Sequence, residues 1–200
     1  MPRAGLSTTT VVAAGAALAD EVGWDRLTLA ALAERLGVRL PSLYKHIDSL
    51  QGLRHDIGVL ALVELTDAIA AAAVGRAASD ALHAMAHAYR TFAHAHPGRY
   101  AATVRAPDPG ESERAGHAAS LLGVIGAVLD GYGIDGPAAV DAIRVLRAGL
   151  HGFVSLEAAG GFAMPRSVDA SFDELVRTLD GRFSRWHGQP ADTDGSSGRR

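Results

Sequence analysis

Residues 27–47 read LTLAALAERLGVRLPSLYKHI, and the fold turns on how this stretch folds back on itself. Leu29, Leu32, Ala33 and Leu36 recur at helical spacing on one face, and Gly37 can take the left-handed conformation that ends a helix abruptly. Val38 then plugs a corner, and Leu43 and Ile47 form the inner side of a second helix over about 40–46. The outer side presents Arg39, Leu40, Ser42, Tyr44, Lys45 and His46. Two readings fit such a pair: an αα-hairpin whose polar residues are merely solvated, or a helix-turn-helix whose second helix is short enough to enter a DNA major groove.

The charge pattern separates them. The whole chain of 200 residues carries a formal charge of −3. Between residues 35 and 54, however, Arg35, Arg39, Lys45 and Arg54 face a single acid, Asp48, and Lys45 is the only lysine in the sequence. Phosphate attraction is screened within about 8 Å in cellular salt, so a local excess of cations outweighs a distant negative total. Thr28 adds a hydroxyl at a helix start, where phosphate oxygens are well received.

The rest of the chain is helical in pattern, with no run alternating as a half-buried strand does. The spacing predicts an all-α protein of about nine helices, over about 8–22, 28–37, 40–46, 49–74, 79–96, 97–105, 111–130, 137–159 and 169–186. Ser7 is the expected cap of the first, and Ser171 with Glu174 has capping-box spacing at the start of the last. A first unit over 1–48, a second over 49–186 and a disordered tail over 187–200, rich in Gly, Ser, Pro and Asp, make up the expected organisation. With no cysteine, disulfides, Cys-based zinc sites and thiol nucleophiles are excluded. Gly15, Asp20 and Glu21 interrupt the apolar N-terminal stretch, so neither a signal peptide nor a membrane span reads well. A soluble cytoplasmic protein, without cofactor or metal and with no membrane partner, is expected.

The segment GVRLPSLYKHIDSLQGL, residues 37–53, resembles the DNA-binding signature of TetR-family transcriptional repressors. RAGLHGFVSLEAAGGFAMP with VDASFDELV is similar to the C-terminal regulatory domain of the TetR subgroup named after a Trp-His-Gly motif, read here as Leu150-His151-Gly152. Together the two cover most of residues 7–186. The resemblance implies that Tyr44, His46 and Thr28 contact phosphate, and that Arg39, Leu40, Pro41, Ser42 and Lys45 face base edges or the adjoining backbone. Two positions depart from the family. Leu50 stands where a phosphate-binding lysine usually opens the fourth helix, so that phosphate is either left without a partner or held by Arg54 or the backbone. Leu40 replaces a frequent polar reader, which favours apolar contact with a thymine methyl.

The expected function is therefore a ligand-responsive, homodimeric transcriptional repressor that binds a pseudo-palindromic double-stranded operator. For dimerisation, the stripe Phe172, Leu175, Val176, Leu179, Phe183 and Trp186 supplies an apolar face, with Leu150 and Val154 on the preceding helix as its neighbours in a four-helix bundle. For the inducer, the resemblance implies a pocket inside the second unit. Met85, Tyr89, Phe92, His117, Leu146, His151 and Phe153 are its candidates, and their few polar groups suit a mostly apolar small molecule.

Three other constellations compete. Residues 131–136, GYGIDG, spell a literal G-x-G-x-x-G, with Glu157 about where a ribose-binding acid belongs, and carry the alternative of a nucleotide-dependent enzyme. Pro137 directly after the third glycine and the absence of strand patterns argue for an interhelical turn. His83, His87 and His94 share a helix stripe, but Arg90 sits among them, and a guanidinium repels a dication. A purely structural helical adaptor would leave Tyr44, Lys45 and His46 dispensable.

Overall fold

Serine and threonine caps start four of the helices. In the computed structural model, which describes residues 6–186, Ser7 Oγ accepts from the Thr10 amide, Thr28 Oγ1 from Ala31, Ser49 Oγ from Gly52 and Ser167 Oγ from Ala170, at 2.9–3.2 Å. The helices so begun or otherwise delimited are α1 (Thr8–Val22), α2 (Leu29–Leu36), α3 (Leu40–Leu43), α4 (Leu50–Ala73), α5 (Ala78–Ala95), α6 (Pro97–Val104), α7 (Ser112–Asp130), α8 (Gly136–Ala158) and α9 (Val168–Phe183). A 3-10 turn, Trp24–Arg26, lies between α1 and α2, and no strand occurs among the described residues. The chain is all-α with nine helices there, as the periodicity anticipates. The tail expected over 187–200 lies outside the described residues.

Two local expectations need correction. α3 is one turn long, because the amides of His46 and Ile47 both return to the Leu43 carbonyl and close the chain into a turn before Ser49 opens α4. The cap of α9 is Ser167 and not Ser171, whose hydroxyl lies one turn further on and donates to the Ser167 carbonyl. Glu174 pairs with Arg177 instead of reaching back to the helix start.

The side chains form two cores that share α4. Val11, Ala16, Leu32, Leu43, Leu53 and Ile57 fill the lower one, and Leu65, Met85, Leu129, Leu146, Phe172 and Phe183 belong to the upper. α4 serves both, with Ala61 at the top of the lower cluster and Leu62 at the bottom of the upper. α6 joins them from the side. A Cβ on Gly98 would overlap the Ala19 carbonyl group, so only glycine lets α6 lie directly on the end of α1. Asp20 fastens that junction by accepting the Arg99 amide at 2.9 Å and pairing with its Nε at 3.0 Å, while Arg99 Nη1 reaches Glu64 on α4 at 2.9 Å.

Candidate nucleic-acid interface and effector cavity

The corner between α2 and α3 follows from Gly37, which takes φ 64°, ψ 31° while its amide closes α2. Leu43 and Ile47 go into the lower core and carry the backbone with them, so the other side of α3 and the turn after it must face outward. Arg39, Leu40, Pro41, Tyr44 and Lys45 are exposed, Ser42 and His46 are half-buried, and Thr28 is exposed at the head of α2. The Thr28 oxygen accepts from Ala31, which leaves its hydroxyl proton free to be donated. Thr8 Oγ1 donates to the His46 carbonyl at 3.1 Å and ties the turn to α1.

The local charge is smaller than the sequence count suggests. Arg35 is held by Glu21 through two hydrogen bonds at 2.6 and 2.8 Å. Arg54 lies against the Trp24 ring at 5.6 Å and points toward the carbonyls of Trp24 and Asp25. Arg39 and Lys45 remain as the cations of the outward surface. Arg54 is thus turned toward the Trp24–Arg26 turn, and Leu50 packs on the lower core.

In the upper unit a cavity of about 880 Å³ opens between the end of α5, α6 and the last turns of α8. Its apolar lining includes Ala93, Pro97, Val104, Val154 and Ala158. Its polar lining falls into two groups: His94 with Glu157, and a cluster in which Tyr100 Oη lies 2.8 Å from Tyr89 Oη and 2.6 Å from His151 Nδ1. Ser155 Oγ stands 3.3 Å from the same imidazole nitrogen. Burial pushes both phenol pKa values up, so both tyrosines remain O–H donors. In the tautomer that leaves Nδ1 bare, Tyr100 donates to Nδ1 and Tyr89 to Tyr100; in the tautomer that carries the proton on Nδ1, both bonds run the opposite way. Behind this relay a smaller cavity of about 170 Å³ is lined by Leu65, Tyr89, Thr103, Leu121, Ile125 and Arg147, and His151 borders both spaces.

Of the residues expected around an inducer, Tyr89 and His151 line these cavities. Met85, Phe92 and Leu146 do not, because they are packed into the upper core. Phe153 is taken up by ring contacts with Phe162 and Phe172 at 4.7 and 5.1 Å, and His117 borders neither cavity. The lining residues missed include His94, Tyr100, Val104, Ser155 and Glu157. Tyr100 carries the one usable signal, a polar-tipped aromatic in an alanine-rich helix directly after a His-Pro-Gly break.

The stripe expected at the dimer contact lies largely inside its own chain. Phe172, Val176, Leu179 and Phe183, with Leu150 and Val154, are buried in the core of their own chain, and Leu175 is partly covered. α9 closes the upper unit, so of these side chains only Leu175 keeps a partly open side. Exposed on α8 are Val145, Ala148 and Leu156, of which Ala148 borders the smaller cavity. Gly149 lies under Leu175 and Leu179, and a Cβ on Gly152 would meet nothing.

The competing constellations resolve into structure. Residues 131–136 form the α7–α8 turn, with Gly133 and Gly136 at positive φ, Ile134 buried, and Gly131 close against the start of α5. A dinucleotide loop needs a strand before it, and none occurs among the described residues. His87 pairs with Asp173 at 3.1 Å and His94 with Glu157 at 2.8 Å, while Arg90 bonds Glu157 at 2.9 Å and Asp169 at 2.8 Å. That network fastens α5 to α8 and α9, and no cluster of three or more His, Cys, Asp or Glu suited to a metal occurs among the described residues.

Comparison with known proteins agrees with this geometry. Residues 11–57 match the family model described as bacterial regulatory proteins, tetR family, and residues 82–179 match the tetracyclin repressor-like C-terminal domain. An HTH-type transcriptional regulator of Mycobacterium tuberculosis is 38% identical over 195 residues, covering 94% of this chain and 87% of the relative. One from Bacillus subtilis is 34% identical over 178 residues, covering 89% and 93%. Among solved structures, a TetR variant from Acinetobacter baumannii in complex with minocycline is 26% identical, with a TM-score of 0.68 and coverage of 92% of this chain and all of that one. No described helix is long and apolar enough to cross a membrane.

Proposed function

The chain belongs to the tetR family of bacterial transcriptional regulators, which are not enzymes, and from that premise we propose that it works in the cytoplasm as a homodimeric repressor released from its operator by a mostly apolar small molecule. Tyr44, His46 and Thr28 hold phosphates in this reading, and Arg39, Leu40, Pro41, Ser42 and Lys45 meet base edges or the neighbouring backbone, with Leu40 placed for a thymine methyl. One observation carries it: α6 walls the large cavity through Tyr100 and Val104 and, at its other end, rests on α1 through Gly98 and Asp20. A ligand that displaces α6 therefore displaces the unit that bears the outward surface. It does so only to the extent that it binds one arrangement better than the other.

The contact between copies is assigned to the outward side of the α8–α9 pair, around Val145, Gly152, Leu156 and Leu175. The glycine there permits close helix approach, and α8 and α9 from two copies make a four-helix bundle about a two-fold axis. Selection of bound duplexes from a random pool should return a pseudo-palindrome with half-sites about one helical turn apart. Leu175→Glu should yield a folded monomer with at least about tenfold weaker operator binding, since the two half-sites are no longer linked. Recovery of no symmetric site, or a wild-type chain that sediments as a monomer while holding DNA, would overturn the reading.

A further inference from the structure

Below α6 lies a third cavity, of a different kind. It has a volume of about 460 Å³ and sits between the lower unit, represented by Trp24, Gln51, Arg54 and His55, and the segment from Ala101 to Arg114. Three arginines border it, Arg54, Arg105 and Arg114, against two acids, Asp108 and Glu111. The acids are spent on one arginine. Arg105 bonds Asp108 at 2.6 Å and both oxygens of Glu111 at 2.9 Å, and Glu111 also takes the Asp108 amide at 2.7 Å and faces His55 Nδ1 at 3.1 Å. Arg54 and Arg114 make no ion pair among the described residues.

Arg114 is the unusual member. It is 2% exposed, and Gly58 on α4 leaves the space its guanidinium occupies, since a Cβ there would overlap Nη1. Its Nη2 donates to the carbonyls of Ala102 and Arg105, at 2.6 and 3.2 Å, near the end of α6. That bond alone does not explain the residue, because an exposed lysine caps helix carbonyls without burying a charge. The Nε–H groups of Arg114 and Arg54 are both buried without a hydrogen-bond partner, and other parts of the two side chains line this cavity. Desolvation and then the neighbouring Arg105 lower the Arg114 pKa, and Glu111 and Asp108 offset this only in part. Buried charges are normally paired, and guanidinium forks match phosphate and carboxylate oxygens.

We propose that this cavity is a binding site for the oxyanion end of a small metabolite, a phosphate ester or a carboxylate, held between Arg54 and Arg114. The volume exceeds what a single phosphate or carboxylate group fills, so the ligand carries an organic body as well. The site is independent of the apolar cavity above α6, and it bridges the two units of the chain.

Calorimetric titration of the full chain with inorganic phosphate, and separately with succinate, in buffers of matched ionic strength, tests the proposal. Saturable binding of one ion per chain is expected with at least one probe. Phosphate alone identifies a phosphate ester, succinate alone a carboxylate, and both a general oxyanion site. Arg54→Gln should weaken binding by about tenfold or more, the worth of a charge-assisted hydrogen bond. Lys45→Gln should leave it unchanged. Arg114→Gln risks unfolding, so the decision rests on Arg54→Gln, whose fold is checked by its melting curve. Absence of saturable heat with both probes, unchanged affinity in Arg54→Gln, or loss in Lys45→Gln, which would place the ion on the outward surface of α3, overturns the assignment.

Discussion

The lower and upper units are built from the same materials, amphipathic helices around an aliphatic core, yet they expose their chemistry in opposite ways. In the lower unit the distinctive side chains stand outside, on a turn held by Gly37, Leu43 and Ile47. In the upper unit they line an interior space, where Tyr89, Tyr100 and His151 meet from three different helices. A surface is what remains when one face of a short segment is buried, so local pattern specifies it. A cavity is what remains when several helices fail to close on one another, and no single segment specifies that. α6 touches both arrangements, which makes it the place to disturb the relation between them.

Gly98→Val should do so most strongly. The added side chain cannot fit against Ala19, α6 must lift from α1, and stability should fall by about 3 kcal/mol in chemical denaturation. A loss under about 1 kcal/mol would mean that the two units are not coupled through this contact. Tyr100→Phe comes next. It keeps the ring and removes the hydroxyl shared by Tyr89 and His151, so it should cost about 2 kcal/mol and weaken any ligand of the large cavity while leaving operator affinity intact. An equal effect on operator affinity would erase the distinction drawn between the units.

On the lower unit, Tyr44→Phe and His46→Ala should each weaken operator binding by about 1 kcal/mol, evenly across DNA sequences, and should flatten its salt dependence for any contact that neutralises a phosphate. Arg39→Ala or Leu40→Ala should instead relax the preference at particular base pairs. Unchanged affinity in both the Tyr44 and His46 variants would remove the assigned docking.

The smallest effect concerns acid. Hydrogen bonds from the Asp108 amide, His55 and Arg105 lower the Glu111 pKa from 4.5 to about 2. The folded state therefore releases this proton more readily than the unfolded chain. The resulting stabilisation is complete above about pH 4.5 and fades as the pH drops toward 2. Glu111→Gln should flatten the decline of stability across that interval, and parallel curves for the two proteins would show that the network does not hold Glu111 in its ionised form.

The sequence by itself determined the helices, the sharp corner at Gly37, the outward placement of Arg39, Leu40, Tyr44 and Lys45, and the membership of Phe172, Val176 and Phe183 in an apolar stripe. Each of these rests on spacing within one segment, where 3.6 residues per turn and a glycine's freedom leave little choice. Which surface covers that stripe was a tertiary decision, since an apolar face has the same pattern whether its own chain or a second copy covers it. So was the fate of the charges: Arg35, Arg54 and Lys45 look alike in sequence, but Glu21 neutralises the first and Trp24 draws in the second, and only the third joins Arg39 on the outward surface. Tyr100 and Arg114 gained their roles in the same way, because the atoms they face lie 51 and 12 positions away in the chain, and a glycine on α4 leaves room for the arginine.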